Sequence, residues 1–365
     1  MNNRQRALSV LNHQKPDYVP WFADLTYWYS SLLIAGKLPE QYLGDGEYQL
    51  QKDLGVGWYI GYWPFQAAYD GVTFEVREHD HYRYTTLRTP RGELHEVMKY
   101  LPESFCWAYE EHYVKNYDDL MILWDVLERT TYLPDYDLAS RKYDIVGDNG
   151  IVLCYLPRSP FMELVTTYAG ITTLTYLILD APDAFDEFYA FMRQKHDEAA
   201  EIALNCPAEC LLITENLSSE VVGKRFYHRY LRDYESTWVK RIHAAGKFSF
   251  IHMDGTLRGL IREVAEVGFN VIEACTPAPV GDIEPEDLRN WVLEDTIIWG
   301  GIPGLYFSDL ISDRDFDEYV IRLLRYYRSH PNFVLGVSDQ VPPGTHWERI
   351  RRVSELVDLH GKIEY

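Results

Sequence analysis

The stretch FSFIHMDGTLRGLIREVAEVGFNVIEACTPAPVGD (residues 248–282) decides how the chain is to be read. It holds two short apolar runs, FSFIH (248–252) and NVIEA (270–274), around a segment of helical period at 256–267. Strands of a parallel sheet are covered on both faces, so they read as continuous apolar runs of this kind. Strand, helix, strand is a βαβ unit. Both runs end on polar residues: His252 and Asp254 at the first, Glu273 and Cys275 at the second. Alternate residues of a strand face the same way, so each pair can point to one side of the sheet.

The same rhythm extends in both directions. Further strand candidates are YVPWFA (18–23), IVLCYL (151–156), CLLIT (210–214), TIIWG (296–300) and NFVLGV (332–337). Helical periods fall at about 183–204, 226–244, 284–292, 314–329 and 347–361, and MNNRQRALSVLNHQ reads as a short amphipathic helix. Seven strands approach the eight of a (β/α)8 TIM barrel, the α/β architecture expected here. Residues 70–100 instead alternate polar and apolar around TPRGE, the pattern of an antiparallel hairpin. The expectation is one domain spanning 1–365, a barrel with an N-terminal helix and a small antiparallel β insertion.

In a parallel barrel, chemistry sits at the C-terminal ends of the strands. Those ends carry Asp24, Tyr27 and Trp28; Glu215 and Asn216; His252 and Asp254; Glu273 and Cys275; and Ser338, Asp339 and Gln340. A strand must exit into polar sequence and an Asp often caps the next helix, so each residue alone says little. Together they point to an active site in this half of the chain. His, carboxylate and thiolate are ligands that zinc accepts. The competing use has Asp254 capping a helix near Thr256, with Cys275 a small buried hydrophobe.

A net charge of -21 excludes nucleic acid as a partner, since phosphates need clustered Lys and Arg. It argues equally against an anionic membrane surface. No apolar run reaches the roughly 18 residues of a membrane span, and none resembles a signal peptide. With five irregularly spaced cysteines, a reducing cytoplasm is the expected location. Cys206 and Cys210 lack a second Cys/His pair and read as structural. Aromatic residues make up 15% of the chain, many before residue 135. They serve packing, or Tyr27, Trp28, Trp58, Tyr59 and Trp63 wall a pocket for a planar or cationic ligand. His79, Asp80 and His81 read as a solvated strand face, and DQVPPGTHWERI as a rigid turn over the barrel mouth.

RQRALSVLNHQKPDYVPWF, YVKNYDDLMIL, GKRFYHRYLRDYESTWVKRIHAAGKFSFIHMDG and IIWGGIPG resemble, in order and spacing, segments of the uroporphyrinogen decarboxylase-like superfamily. That superfamily includes corrinoid-dependent methyltransferases. The resemblance implies a (β/α)8 barrel and, on the methyltransferase branch, a zinc site built from H-x-C, a residue at the next strand end and a Cys after the last strand. Carried onto this chain, the site is His252, Glu273 or Cys275, and Asp339, with Asp254 where the paired Cys would stand. Carboxylates for thiolates make the set harder, suited to an oxygen or nitrogen substituent. The implied activity is demethylation of a small O- or N-methylated compound, the methyl group passing to a separate corrinoid protein. Asp254 or Glu215 would supply the proton, Asn216 and Gln340 would orient substrate, and a homodimer is compatible. The decarboxylase branch implies arginines after the first strand for an acidic porphyrinogen, yet none lies between Arg6 and Arg77. The runner-up is a metal-independent decarboxylase or lyase using Asp24 and His252. A non-catalytic binder is the third reading.

Overall fold

The computed structural model describes residues 1–44 and 46–363. Contacts divide the chain into two compact units, Met1–Tyr62 with Asp137–Tyr155 and Pro207–Tyr365, and Trp63–Tyr136 with Leu156–Cys206.

The first unit carries the barrel. Seven parallel strands pair in one sheet in chain order: Trp58–Tyr62, Gly150–Leu156, Cys210–Leu217, Phe248–Met253, Val271–Cys275, Ile297–Pro303 and Phe333–Ser338. The gap between the outer two is closed by residues 20–23. Trp21 bridges Leu335 and Phe22 bridges Gly57, both in parallel sense. The hydrogen bonds are Phe22 N to Leu335 O at 2.9 Å, Leu335 N to Pro20 O at 2.9 Å and Gly57 N to Trp21 O at 2.9 Å. Pro20 lacks an N–H and serves only as acceptor, which suits the start of a strand. Counting residues 20–23 first, the eight strands form the expected (β/α)8 barrel. A Cβ at Gly57 would lie 2.8 Å from the Phe22 ring, so glycine is what lets the closing strand approach.

WYIGY (58–62) is the barrel strand that apolar patterning passes over. It is mostly aromatic, with a glycine at 61, rather than aliphatic, yet it pairs with the third strand from Trp58–Gly150 to Tyr62–Cys154. Inside the barrel Phe22, Ile151, Leu153, Cys210, Leu212, Phe250, Val271, Ile297, Trp299 and Val334 form one buried cluster. Ala7, Val10 and Leu11 of the Asn3–Leu11 helix join it. That helix is started by a capping box between Asn2 and Gln5. It therefore plugs one end of the barrel, leaving the C-terminal end of the strands as the mouth.

Two expected helices are shorter than their periodicity suggests. The 256–267 segment is helical only at Ile261–Ala265, and 284–292 only as a single turn at Leu288–Trp291.

The second unit contains a four-stranded antiparallel sheet, Thr73–His79, Tyr82–Thr89, Gly92–Leu101 and Cys106–Glu111. The antiparallel expectation for 70–100 holds, and the sheet runs on to Glu111. Leu87 pairs with Leu94, and both are buried. The Tyr117–Glu128 helix packs on this unit's core through Leu120, Leu123 and Leu127, and Trp124 stacks on Phe191 at 4.8 Å. His79, Asp80 and His81 form a hairpin tip, with Asp80 at φ 48 and His79 and Asp80 both largely in water.

Phe22 is 0% exposed and meets Trp299 edge-on at 5.1 Å. Phe22→Ala should cost about 3–5 kcal/mol, seen as a lower urea midpoint, whereas Leu310→Ala on the exposed surface should change it little.

Candidate active site

The strand alternation sets which side chains reach the mouth. Phe250 faces the barrel interior, so His252, two residues on, faces it too; Val271 places Glu273 in the same way. The two meet. His252 Nδ1 lies 2.6 Å from Glu273 Oε2, and Glu273 Oε1 accepts a hydrogen bond from the Tyr59 hydroxyl at 3.3 Å. His252 Nε2 faces Asp339 Oδ1 at 3.9 Å. Asp339 follows the eighth strand, whose Ser338 Oγ donates to Cys275 O at 2.7 Å and accepts from Gly301 N at 3.0 Å. Those two bonds tie the ends of three strands together beneath Asp339.

Across the mouth, Gln340 donates to Asp24 at 2.7 Å. Both line a cavity of about 760 Å³, with Thr26, Glu47, Tyr48, Trp58, Tyr59, Tyr155 and Lys142 among its other walls. Among the described residues, Lys142 is the single Lys or Arg side chain lining it. Glu47, whose carboxylate accepts from Thr26 at 2.9 Å, is raised by burial and by the Asp24 charge.

Electrostatics follow from crowding carboxylates around one imidazole. Burial disfavours charge on His252, but Glu273, by charge and hydrogen bond, together with Asp339 and Asp254, raises it to about 10. Burial, then the Glu273, Asp24 and Asp254 charges, push Asp339 up to about 7, against the pull of His252. The site can thus hold a proton on the ring and exchange one at Asp339 near neutral pH.

The remaining expected site residues are placed as follows. Asp254 lies beyond the fifth strand and does not cap the next turn: Asp282 accepts from Leu257 N at 2.8 Å and Arg258 N at 3.1 Å instead. Cys275 does not join the cluster. Ala274, at φ 62, turns the chain and shifts the strand register, so Cys275 is wholly buried with its thiol on Ile272 O at 3.4 Å. Burial pushes that thiol up and leaves it neutral. Glu215 points away from the mouth. Cys210 and Leu212 face inward, so the odd positions of that strand face the helices, and Glu215 is buried there, its charge acting on Tyr227 and Glu235. Asn216 is exposed at φ 55 on the strand end. Trp28 is wholly buried, its indole N–H on Thr345 O at 2.9 Å and its ring against Trp347, so it anchors the helix rather than walling a pocket. Trp58 stacks on Tyr48 at 5.7 Å and lines the cavity. Tyr27 is half-buried on the Thr26–Ile34 helix, and Trp63 is exposed in the second unit beside Phe65. Tyr155, taken in the sequence only as part of an apolar strand, lines the cavity as well.

His252, Glu273 and Asp339 each offer one ligand atom, all within 4.8 Å of one another, and they are the one such group among the described residues. An imidazole nitrogen beside carboxylate oxygen suits a borderline or hard divalent ion. Two ligands of one tetrahedral ion stand about 3.4 Å apart at zinc distances. The 2.6 Å between His252 Nδ1 and Glu273 is therefore a hydrogen bond that aims the ring. The far nitrogen and Asp339 face each other as ligands would, with Glu273 as orienting carboxylate. The residues fit a divalent ion.

The family model for uroporphyrinogen decarboxylase (URO-D) matches residues 156–360, more than half of the chain. No curated protein sequence matches. Among solved structures, a methyltransferase from Methanosarcina mazei aligns with a TM-score of 0.62 over 98% of this chain and 99% of that one, at 10% identity. At that identity the likeness speaks for the fold alone.

His252 titrates near 6.5 in an unfolded chain and near 10 in the metal-free fold. The stability this contributes is complete below the lower value and lost as pH rises through the upper one. Asp339, raised from 3.8 to about 7, tilts stability the same way over its own range. The melting temperature of chelator-treated protein should fall as pH rises from 7 to 10. His252→Gln should flatten that decline, and Asp339→Asn should flatten a separate fall between about pH 4 and 7.

Proposed function

The chain belongs to the uroporphyrinogen decarboxylase (URO-D) family, and from that premise we propose that it is a methyltransferase. It takes a methyl group from a small O- or N-methylated compound and passes it to a corrinoid carried by a separate protein. The observation that carries this reading is the His252–Glu273–Asp339 cluster, beside a cavity walled by aromatics and carboxylates with no arginine. A polycarboxylate substrate needs several cationic partners, preferably bidentate arginines, and among the described residues this wall offers Lys142 alone.

His252 and Asp339 would hold a divalent metal such as zinc. When bound, the ion supplies Lewis acidity toward the heteroatom that leaves the methyl group. Glu273, itself held by Tyr59, fixes the imidazole with its far nitrogen toward Asp339. Asp254, near enough for its charge to act on both His252 and Asp339, would relay a proton from solvent to the departing heteroatom. Asp24 and Gln340, joined by their hydrogen bond, present one amide and one carboxylate to the substrate, and Trp58 and Tyr59 wall it. Glu215 and Cys275, turned out of the mouth, have no part in this scheme.

A second reading has its own observation. A histidine held at 2.6 Å by Glu273, beside an Asp339 titrating about 7, is a working acid–base pair without any ion. It would serve a metal-independent decarboxylase or lyase.

The experiment uses protein purified without chelator or affinity metal, mixed with a reduced corrinoid protein and a panel of methyl ethers and methylamines. The expected result is close to one equivalent of metal, methyl transfer abolished by EDTA and restored by zinc, and loss of both metal and activity in His252→Ala. Glu273→Gln should weaken metal binding roughly 10- to 100-fold. Methyl transfer that survives EDTA would rule out the metal scheme, and no transfer from any donor would favour the acid–base reading.

A further inference from the structure

On the second strand, the layer of side chains at the barrel mouth has a position without a side chain. Tyr59 faces inward against Glu273, so residue 61, two further along, faces inward as well. Residue 61 is glycine, and the ring of Tyr155 from the neighbouring strand occupies the space. A Cβ at position 61 would lie 1.7 Å from the Tyr155 hydroxyl oxygen and 2.1 Å from its Cζ. The backbone does not demand glycine there, because Gly61 is not among the residues of positive φ. The ring demands it. Both residues line the cavity at the mouth, and the Tyr155 ring packs against the barrel core. Burial, with the Asp24, Glu273 and Asp339 charges, keeps the phenol neutral and able to donate.

We propose that Gly61 and Tyr155 are the specificity-determining pair of this site. Glycine leaves the seat, the seated ring forms a wall of the mouth, and its hydroxyl donates a hydrogen bond to an acceptor heteroatom of the substrate. A side chain at 61 drives the ring out of its seat, so the pair sets both the size of ligand admitted and the point at which an acceptor is read. The methyl-transfer reading enters only in naming that acceptor, an ether oxygen or a neutral amine nitrogen.

Two measurements on the full chain test this. The first is a thermal-stability cycle. Gly61→Ala should lower the melting temperature by about 3 °C or more, as overpacking does, and should cost little in a Tyr155→Ala background. A loss that persists without the tyrosine, or no loss at all, overturns the seat. The second is calorimetric binding of 2-methoxyphenol and N,N-dimethylaniline, both uncharged at neutral pH. Tyr155→Phe should bind the accepted probe roughly tenfold more weakly with unchanged stability, the worth of one hydrogen bond, and Gly61→Ala should not bind it. Equal binding by Tyr155→Phe, or no binding of either probe by the unaltered protein, removes the donor role. Binding that depends on Tyr155 without methyl transfer would sink the methyltransferase reading and leave the pair standing.

Discussion

The barrel closes through four residues. Residues 20–23 reach the second and eighth strands through a few backbone hydrogen bonds, and glycine at 57 is what lets Phe22 lie that close. Because the closing strand is so short, the chain leaves it at Asp24, just where the eighth strand delivers Gln340. The 2.7 Å bond between them is thus a consequence of closure. The Asn3–Leu11 helix fills the other end with Ala7, Val10 and Leu11. An inward-facing polar side chain then has one place where it meets water: the mouth. Buried polar groups need partners, and the mouth is where Tyr59, His252 and Glu273 find one another.

Strand alternation places most of that layer, and two left-handed residues break it. Asn tolerates such a conformation through its short polar side chain, but alanine at φ 62 carries a strain of order 1 kcal/mol. The position of that strain is informative. Ala274 separates Glu273, which holds His252, from Cys275, whose carbonyl takes the Ser338 hydroxyl. Without the turn, alternation would carry the thiol toward the mouth. With it, the mouth keeps oxygen and nitrogen donors only, and the cysteine ties strands together through its backbone.

Much of this was legible in the sequence where the signal was local. Seven strand segments stood out because aliphatic runs covered on both faces have a plain signature, and His252, Glu273 and Asp339 followed from their places at strand ends. The strand Trp58–Tyr62 did not stand out, because its side chains divide between cavity and helices and Gly61 reads as a loop. Glu215 was misplaced by judging it from its distance to the strand end rather than from the inward face fixed by Cys210 and Leu212. The cap at Leu257 comes from Asp282, across a loop and a strand. No local pattern around Asp254 encodes that, and freeing Asp254 from capping is what leaves it available to the site. Tyr155 was hidden for a similar reason, since its place depends on an absent side chain on another strand.

The charge arrangement constrains the chemistry more tightly than any single contact. Asp24, Asp254, Glu273 and Asp339 act on one another around His252, and the cavity adds Glu47 and Asp144 against Lys142. Like charges brought this close in a partly dry mouth repel one another. A protonated His252 offsets some of this and a protonated Asp339 some more, which is why both titrations move upward together. An anionic substrate entering this mouth would add to the repulsion, whereas a divalent ion would relieve it while displacing the ring proton. A neutral or cationic ligand is therefore the one compatible with these carboxylates in their charged form.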